Sequence, residues 1–274
     1  VSTRSGVFFD IDSRETGLST VLDSKVTVFD SSQSAIGSND DGYDFDTGYP
    51  APLFAAGAND GVDSALYLDL TPGTYTVRVN PSSGSGNYVL RMLADSNYAS
   101  AVPDFNSRSG SADTLYLDFD GHAASDTWGS YSINPFDISG NGNEYSPAEK
   151  LLIKNVWRMI GEDFSPFNIN ISTTEPASFN DAEAFRQVIG NSNGSDVGAT
   201  GALGVAFLNS YAGGAVNTAF TFASNFSSFG GGVSGQVMAM AVEMGNTSSH
   251  EFGHALGLLH YGGTNPQPLG IMHT

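Results

Sequence analysis

The sequence HEFGHALGLLH at residues 250–260 decides the fold of the second half of this chain. On an α-helix, residues four apart lie on one face, so His250 and His254 can direct two imidazoles at one metal ion. Glu251 projects close by, where it can take a proton from a metal-bound water. Gly257 can adopt the left-handed conformation that ends a helix, and the turn brings the last histidine back as a third ligand. Three neutral imidazoles leave a fourth tetrahedral position open, which is typical of a catalytic zinc site.

The pattern H-E-x-x-H-x-x-G-x-x-H is followed by a short Gly-Ile-Met sequence that ends at Met272. In this the chain resembles the metzincin clan of zinc endopeptidases, whose signature is the extended motif followed by a Met-turn. The resemblance implies a general base at Glu251 and an apolar floor beneath the metal at Met272. It also implies three zinc ligands, which are His250, His254 and His260. A bare H-E-x-x-H arises by chance in helices, but the added glycine, third histidine and methionine at this spacing argue against chance.

The resemblance departs from the family pattern near Met272. Some metzincins carry a tyrosine two residues after this methionine as a further ligand, and this chain has Thr274 there. We therefore expect no tyrosine ligand from that position. Metzincin domains usually continue into another helix, whereas this sequence stops two residues after Met272.

Charge and composition narrow the classes of partner. Asp and Glu number 29 against 10 Lys and Arg, which gives a formal net charge of −19. Nucleic acids and anionic membranes are bound by clustered basic residues, so neither is expected as a partner. No apolar run approaches the roughly 20 residues of a membrane-spanning helix, so we expect no membrane insertion. The chain has no Cys, which removes disulfides and thiolate ligands and favours a secreted bacterial protein over an animal one.

Residues 1–96 are predicted to form an all-β accessory domain. Short runs with strand character, such as 25–29 and 74–79, alternate with turns rich in Gly, Asp, Asn and Ser, which favours a β-sandwich. The order of these runs resembles the bacterial pre-peptidase C-terminal domain, a jelly-roll-like sandwich attached to secreted peptidases. The stretches that carry this resemblance are 26–30, 39–42, 70–75 and 86–90.

Residues 97–112 are small and polar and are predicted to be a linker, and residues 113–274 are predicted to form an α/β (α+β) metzincin-like catalytic domain. A strand at 114–120, a helix capped by Ser146 with Pro147 at its first position, and a strand at 167–171 indicate a βαβ opening.

Further elements are predicted closer to the zinc motif. A second helix is expected at 181–189, with Asn180 as its N-cap and Gly190 as its end. Strands are expected at 204–208 and 217–222. The metzincin resemblance implies that an edge strand in this region pairs with an extended substrate backbone.

Calcium is a weaker prediction. Hard oxygen ligands suit this ion, and one acidic loop carries four candidate carboxylates, which are Asp40, Asp41, Asp44 and Asp46. The spacing does not match an EF-hand, so an ordinary solvated loop is the alternative. Asp118 and Asp120, at the end of a predicted strand, are a lesser candidate for an ion. Nothing in the sequence marks His122 as a ligand.

Taken as a whole, the sequence predicts a secreted, monomeric, zinc-dependent endopeptidase that hydrolyses peptide bonds in proteins or peptides. One alternative is a binding or adhesion protein with a weak or inactive metalloprotease domain, although an intact Glu251 argues against it. Another is a proteolytic toxin with one host target. The sequence leaves the substrate, the preferred cleavage site, the route of activation and the role of the N-terminal domain open.

Overall fold

The computed structural model describes residues 1–12, 22–40, 64–140, 142, 144–226, 237–260 and 272. The chain divides into two compact units. The first contains residues 1–98 and two short additional segments, and the second contains most of the chain from Ala99 onward. The predicted domain boundaries at 96 and 113 remain a prediction.

Two three-stranded antiparallel sheets form the first unit, with strand orders β4-β1-β6 and β3-β2-β5. The strands are β1 (Ser5–Asp12), β2 (Asp23–Phe29), β3 (Ala35–Asn39), β4 (Ala65–Leu70), β5 (Thr76–Ser83) and β6 (Val89–Asp95). Successive side chains of a strand point to opposite faces, and one face of each sheet supplies a shared apolar core. Its buried members are Val7, Phe9, Ile11, Val26, Val28, Leu66 and Leu70.

A five-stranded sheet organises the second unit, with strand order β10-β7-β11-β13-β12. Its strands are β7 (Asp113–Asp118), β10 (Ile169–Ser172), β11 (Ala184–Gly190), β12 (Gly204–Val205) and β13 (Thr218–Phe222). All are parallel except β12, which pairs antiparallel with β13 and forms an edge of the sheet. The remaining elements are a hairpin of β8 (His122–Asp126) and β9 (Gly129–Ile133), and two helices, α1 (Pro147–Asp163) and α2 (Val237–Ala255). The chain thus combines a β-rich first unit with an α/β second unit.

The βαβ opening of the second unit is confirmed. Helix α1 begins at Pro147, where the fixed φ of proline suits the first helical position. It connects β7 to β10, and these two strands are parallel neighbours in the sheet. Residues of the predicted linker run beside β10, because Ser107 N–H donates to the Ile171 carbonyl (3.0 Å) and Phe105 N–H donates to Thr173 Oγ1 (2.7 Å).

The predicted helix at 181–189 is wrong, because this segment contributes strand β11. All seven residues of β11 are buried, and the strand is hydrogen-bonded to β7 on one side and β13 on the other. A position inside a parallel sheet outweighs a local capping signal, since strands buried on both faces form continuous apolar runs. Asn180, predicted as the N-cap, instead donates its side-chain amide to Glu183 Oε2 (2.7 Å).

The two faces of the five-stranded sheet carry different elements. On one face Phe185 packs against Phe252 of α2, with ring centroids 5.4 Å apart. On the same face Thr221 Oγ1 accepts from Gln187 (3.0 Å) and shares a hydrogen bond with Ser248 of α2 (2.9 Å). The opposite face packs against the β8–β9 hairpin in a second apolar cluster, which contains Tyr131, Ile133, Val188, Phe220 and Phe222.

Within the described residues, no helix has the length and apolar character to cross a membrane.

Candidate metal centre

Helix α2 carries the first half of the zinc motif and ends in a left-handed turn. Gly257 has φ of +94°, as predicted, and only glycine adopts this conformation without steric cost. Leu258 N–H donates to the Gly253 carbonyl (2.9 Å), and Gly257 N–H donates to the His254 carbonyl (2.8 Å). These two bonds form the Schellman motif, which reverses the chain and returns His260 towards the helix.

Three imidazoles converge as a result of this turn. The Nε2 atom of His260 lies 3.0 Å from Nε2 of His250 and 3.0 Å from Nε2 of His254. Among the described residues, these histidines form the one group of three or more His, Cys, Asp or Glu whose ligand atoms all lie within 4.8 Å of one another. Two of the side chains are half-buried and His260 is exposed, so the cluster is open to solvent.

Hydrogen bonding between the imidazoles does not account for this geometry. A neutral imidazole nitrogen carries either one proton or one lone pair, so Nε2 of His260 can make a good hydrogen bond to only one of its two neighbours. A shared cation satisfies all three lone pairs together. Zn–N distances of about 2.0–2.1 Å would place tetrahedral ligand nitrogens about 3.3 Å apart, close to the observed separation.

The proton position on His254 is fixed by the backbone. Its Nδ1 atom lies 2.9 Å from the carbonyl oxygen of Leu258, and a carbonyl can only accept, so Nδ1 carries the proton. The lone pair is therefore on Nε2, the atom that faces the other histidines. This contact also fixes the orientation of the ring, as hydrogen bonds to the second nitrogen of metal-bound histidines commonly do.

Glu251 lies beside the histidines and is buried, with 7% of its surface exposed. Burial raises the pKa of its carboxyl to about 8, because a charged carboxylate loses hydration in an apolar environment. A cation bound to the histidines would lower this pKa again, since an opposite charge favours the ionised form. Such a lowering is what a general base requires at neutral pH, because only the ionised carboxylate can accept a proton.

The edge strand β12 lies directly against this glutamate. A Cβ atom added to Gly204 would come within 2.7 Å of Glu251 Cγ and 2.9 Å of Glu251 Oε1. No side chain fits there without displacing the carboxylate. Gly204 was not among the predicted site residues, and its only sequence signal is that of a glycine within a predicted strand, which can mark a close approach of the backbone.

Met272 packs on the helix between the two histidine positions. A Cβ atom on Gly253 would lie 2.5 Å from Met272 Sδ, so the glycine leaves space for the thioether. The other residues of the Met-turn region, 261–271 and 273–274, lie outside the described residues.

A loop after β12 holds the end of α2. Asn209 N–H donates to the His254 carbonyl (2.8 Å), and Tyr211 N–H donates to the Ala255 carbonyl (3.0 Å). The bond from Tyr211 satisfies a carbonyl of the last helical turn, and the bond from Asn209 is a second one to the His254 carbonyl, which also accepts from Gly257. Leu258 and Leu259, which precede His260 in sequence, are exposed, as is Leu208 in this loop.

Of the four candidate calcium ligands in the acidic loop, Asp40 alone lies within the described residues. Asp40 lies 4.0 Å from the ammonium group of Lys25, while Asp41, Asp44 and Asp46 lie outside the described residues. Asp118 is fully buried and forms an ion pair with Arg186, and Asp120 beside it is exposed.

Comparison of the chain with protein-family models, with curated proteins and with solved structures finds no match. The metzincin resemblance therefore depends on the motif and on the arrangement of its residues.

Proposed function

We propose that this protein is a secreted zinc-dependent endopeptidase of the metzincin type, with His250, His254 and His260 as ligands. The observation that carries the proposal is the convergence of three imidazole Nε2 atoms next to a buried glutamate. Three neutral nitrogen ligands with an open fourth position suit zinc bound for catalysis. Zinc, when bound, acts as a Lewis acid and lowers the pKa of a coordinated water towards about 7.

Glu251 supplies the proton transfers in this proposal. As general base it accepts a proton from the attacking water, and as general acid it then delivers that proton to the leaving amine. The backbone of Gly204 lies close against this side chain, so a Cβ atom there would displace the carboxylate. A fixed position is what a proton-transferring group needs, because small displacements of catalytic groups cost large factors in rate.

Strand β12 provides a binding edge for the substrate. It is the antiparallel edge of the sheet and touches Glu251 at Gly204. An extended peptide added to this edge would gain main-chain hydrogen bonds regardless of its side chains. The peptide bond to be cleaved would then run past the general base, which favours an endopeptidase over an enzyme that acts only on chain ends.

The alternatives differ in what the site does. A binding or adhesion protein would keep the histidines without turnover, and the presence of Glu251 between them speaks against it. A toxin with one host target would use the same chemistry on one substrate. The accessory role of the β-rich unit, its likeness to the pre-peptidase C-terminal domain and any bound calcium are further proposals of the sequence analysis.

The proposal is tested by hydrolysis of casein and of a quenched peptide library, together with zinc analysis of the purified protein. We expect about one zinc per chain, activity abolished by a chelator, and activity lost in Glu251→Gln with zinc retained. Glu243→Gln is the matched control, since Glu243 is exposed on the same helix. Wild-type protein that binds zinc but cleaves neither substrate would favour the binding protein, and cleavage of a single protein in a broad panel would favour the toxin.

A further inference from the structure

A second polar site lies on the face of the sheet that is opposite α2. A cavity of about 520 Å³ is lined there by residues that include His122, Asp126, Phe179, Asp181, Arg186 and Asn217. Arg186 alternates along β11 with Phe185 and Gln187, which face α2, so its side chain points to the other side. The zinc motif therefore does not contribute to this cavity.

The cavity is acidic although an arginine lines it. The guanidinium of Arg186 is already paired with Asp118 and Glu175 and lies 4.3 Å from the ring centre of Phe179. Asp126 and Asp181 add two further carboxylates to the lining. Burial, and then the charge of Arg186, lower the pKa of His122, so the imidazole adds no positive charge near neutral pH. The balance of charge favours a cation as ligand.

A buried acceptor in the lining has no partner. Asn217 is 5% exposed, and its side-chain amide donates to the Phe179 carbonyl and to Asp181 Oδ1, both at 3.1 Å. Its own Oδ1 atom is buried and has no hydrogen-bond partner among the described residues. An unsatisfied buried acceptor costs about 1–3 kcal/mol, and because this atom is closed off from solvent, a donor would reach it only after the lining shifts.

The size of the cavity and the spacing of the acidic and histidine side chains argue against a single metal ion as the ligand. Calcium is held by 6–8 oxygens at about 2.3–2.6 Å, and within the described residues no group of three acidic or histidine side chains besides the zinc triad comes within 4.8 Å. A volume of about 520 Å³ lies in the range of sites for small organic groups, about 300–1,000 Å³. Phe179 offers apolar surface on which the aliphatic stem of a long basic side chain could pack.

We propose that this cavity binds a basic side chain, an arginine or a lysine, presented by a peptide segment of another protein. Asp126 and Asp181, the two carboxylates of the lining, receive the positive charge. Charge-assisted hydrogen bonds of this kind are stronger than neutral ones. The site stands independently of the proposed peptidase activity, because it shares no residue with the zinc motif.

The test measures binding of the peptide acetyl-Gly-Arg-Gly-amide to the full chain by calorimetry, in a Glu251→Gln background so that the peptide stays intact. The comparison peptide carries citrulline, which has the shape of arginine without its charge. We expect the arginine peptide to bind about tenfold or more tightly than the citrulline peptide. Equal affinity for the two peptides would overturn the proposal.

Two sets of variants separate this site from general attraction to an acidic protein. The double variant Asp126→Asn with Asp181→Asn is expected to bind the arginine peptide about tenfold more weakly. Glu162→Gln with Glu243→Gln removes the same charge from exposed positions and is expected to change binding by less than about twofold. Equal losses in both sets would refute the site.

Asp126 also accepts hydrogen bonds from Trp128 N–H and the Tyr131 hydroxyl, so the double variant could lose local structure. Asp181→Asn alone alters an exposed side chain and is the second variant. It is expected to weaken binding with an unchanged Tm, and unchanged binding would contradict the proposal. Displacement of the peptide by calcium would identify a metal site instead.

Discussion

The two faces of the five-stranded sheet carry two polar sites that were recognisable to different degrees from the sequence. On the α2 face, three histidines converge because one helix and one turn place them together within eleven residues of sequence, 250–260. On the hairpin face, the cavity gathers side chains from His122 to Thr218, and no short motif joins them. Local geometry can be inferred from spacing, whereas a site assembled by the sheet requires knowledge of strand order.

The sites also differ in how their charge is balanced. Around the histidines the ligand atoms are neutral nitrogens, and a buried carboxyl with a raised pKa lies beside them. In the lining of the cavity, the carboxylates of Asp126 and Asp181 outnumber the single guanidinium of Arg186. The first arrangement suits a small divalent ion that needs lone pairs, and the second suits a larger cation that donates hydrogen bonds.

The largest expected effect is the loss of peptide hydrolysis in Glu251→Gln, a variant that alters the histidine site but not the cavity. Glu251→Gln should lower kcat by about 10²- to 10⁴-fold, the usual contribution of general acid–base catalysis, and it should retain zinc and bind the arginine peptide as before. Peptide hydrolysis, zinc content and calorimetry measure these three properties. Full activity in the variant would remove Glu251 from the mechanism.

Removal of zinc should lower the thermal stability of the protein without affecting the cavity on the hairpin face. Ligands that bind the folded state stabilise it by about 4 kcal/mol when present at 1,000 times Kd. We expect a chelator to lower the Tm by roughly 10 °C, at about 2–4 °C for each kcal/mol in a domain of this size. Binding of the arginine peptide should persist below the lowered Tm. An unchanged Tm after complete removal of zinc would show that the metal does not support the fold.

Gly204→Ala tests whether the edge strand positions Glu251. The new methyl group would overlap Glu251 Cγ and the Phe220 carbonyl oxygen, and overpacking of this kind costs about 1–3 kcal/mol. We expect kcat to fall by about tenfold or more while zinc content stays near one per chain.

Gly161→Ala is the matched control for this substitution. Gly161 lies in α1, where an added Cβ meets only Ser107 Cβ, at 3.6 Å. Alanine at this position should leave activity unchanged and raise stability by about 0.5–1 kcal/mol. Equal activity in Gly204→Ala and Gly161→Ala would show that the contact of Gly204 with Glu251 has no functional role.

The features predicted correctly from sequence are those with a local cause. Gly257 adopts positive φ because the helix end requires it, and α1 begins at Pro147 because proline suits that position. The segment 181–189 was predicted as helix because the capping signal at Asn180 is local, whereas the pairing of β11 with β7 and β13 is not. The contact between Gly204 and Glu251 joins residues 47 positions apart, and it depends on the placement of β12 at the sheet edge.

The smallest expected effect concerns Asp118, which pairs with Arg186 beside the cavity. Burial raises the pKa of Asp118 from 3.8 to about 8; Asp120 adds to this shift and Arg186 opposes it. An acid whose pKa is raised by folding contributes stability that is complete below its unfolded pKa and is lost as the pH rises through its folded pKa. For Asp118 the loss therefore extends from about pH 4 to about pH 8.

Asp118→Asn removes this ionisation, so its stability relative to the wild type should increase between pH 5 and pH 9. We expect the Tm of the variant to rise by several degrees relative to the wild type, since a one-unit difference in pKa corresponds to about 1.4 kcal/mol and each kcal/mol shifts the Tm of such a domain by roughly 2–4 °C. Thermal unfolding at pH 5, 7 and 9 measures this change in Tm, with Asp104→Asn, at an exposed position, as control.

A Tm that depends on pH in the same way in Asp118→Asn and in the wild type would mean that the carboxyl of Asp118 stays ionised through its pairing with Arg186. The cavity would then carry one more negative charge at neutral pH, and its affinity for a basic side chain should be the same at pH 6 and pH 9.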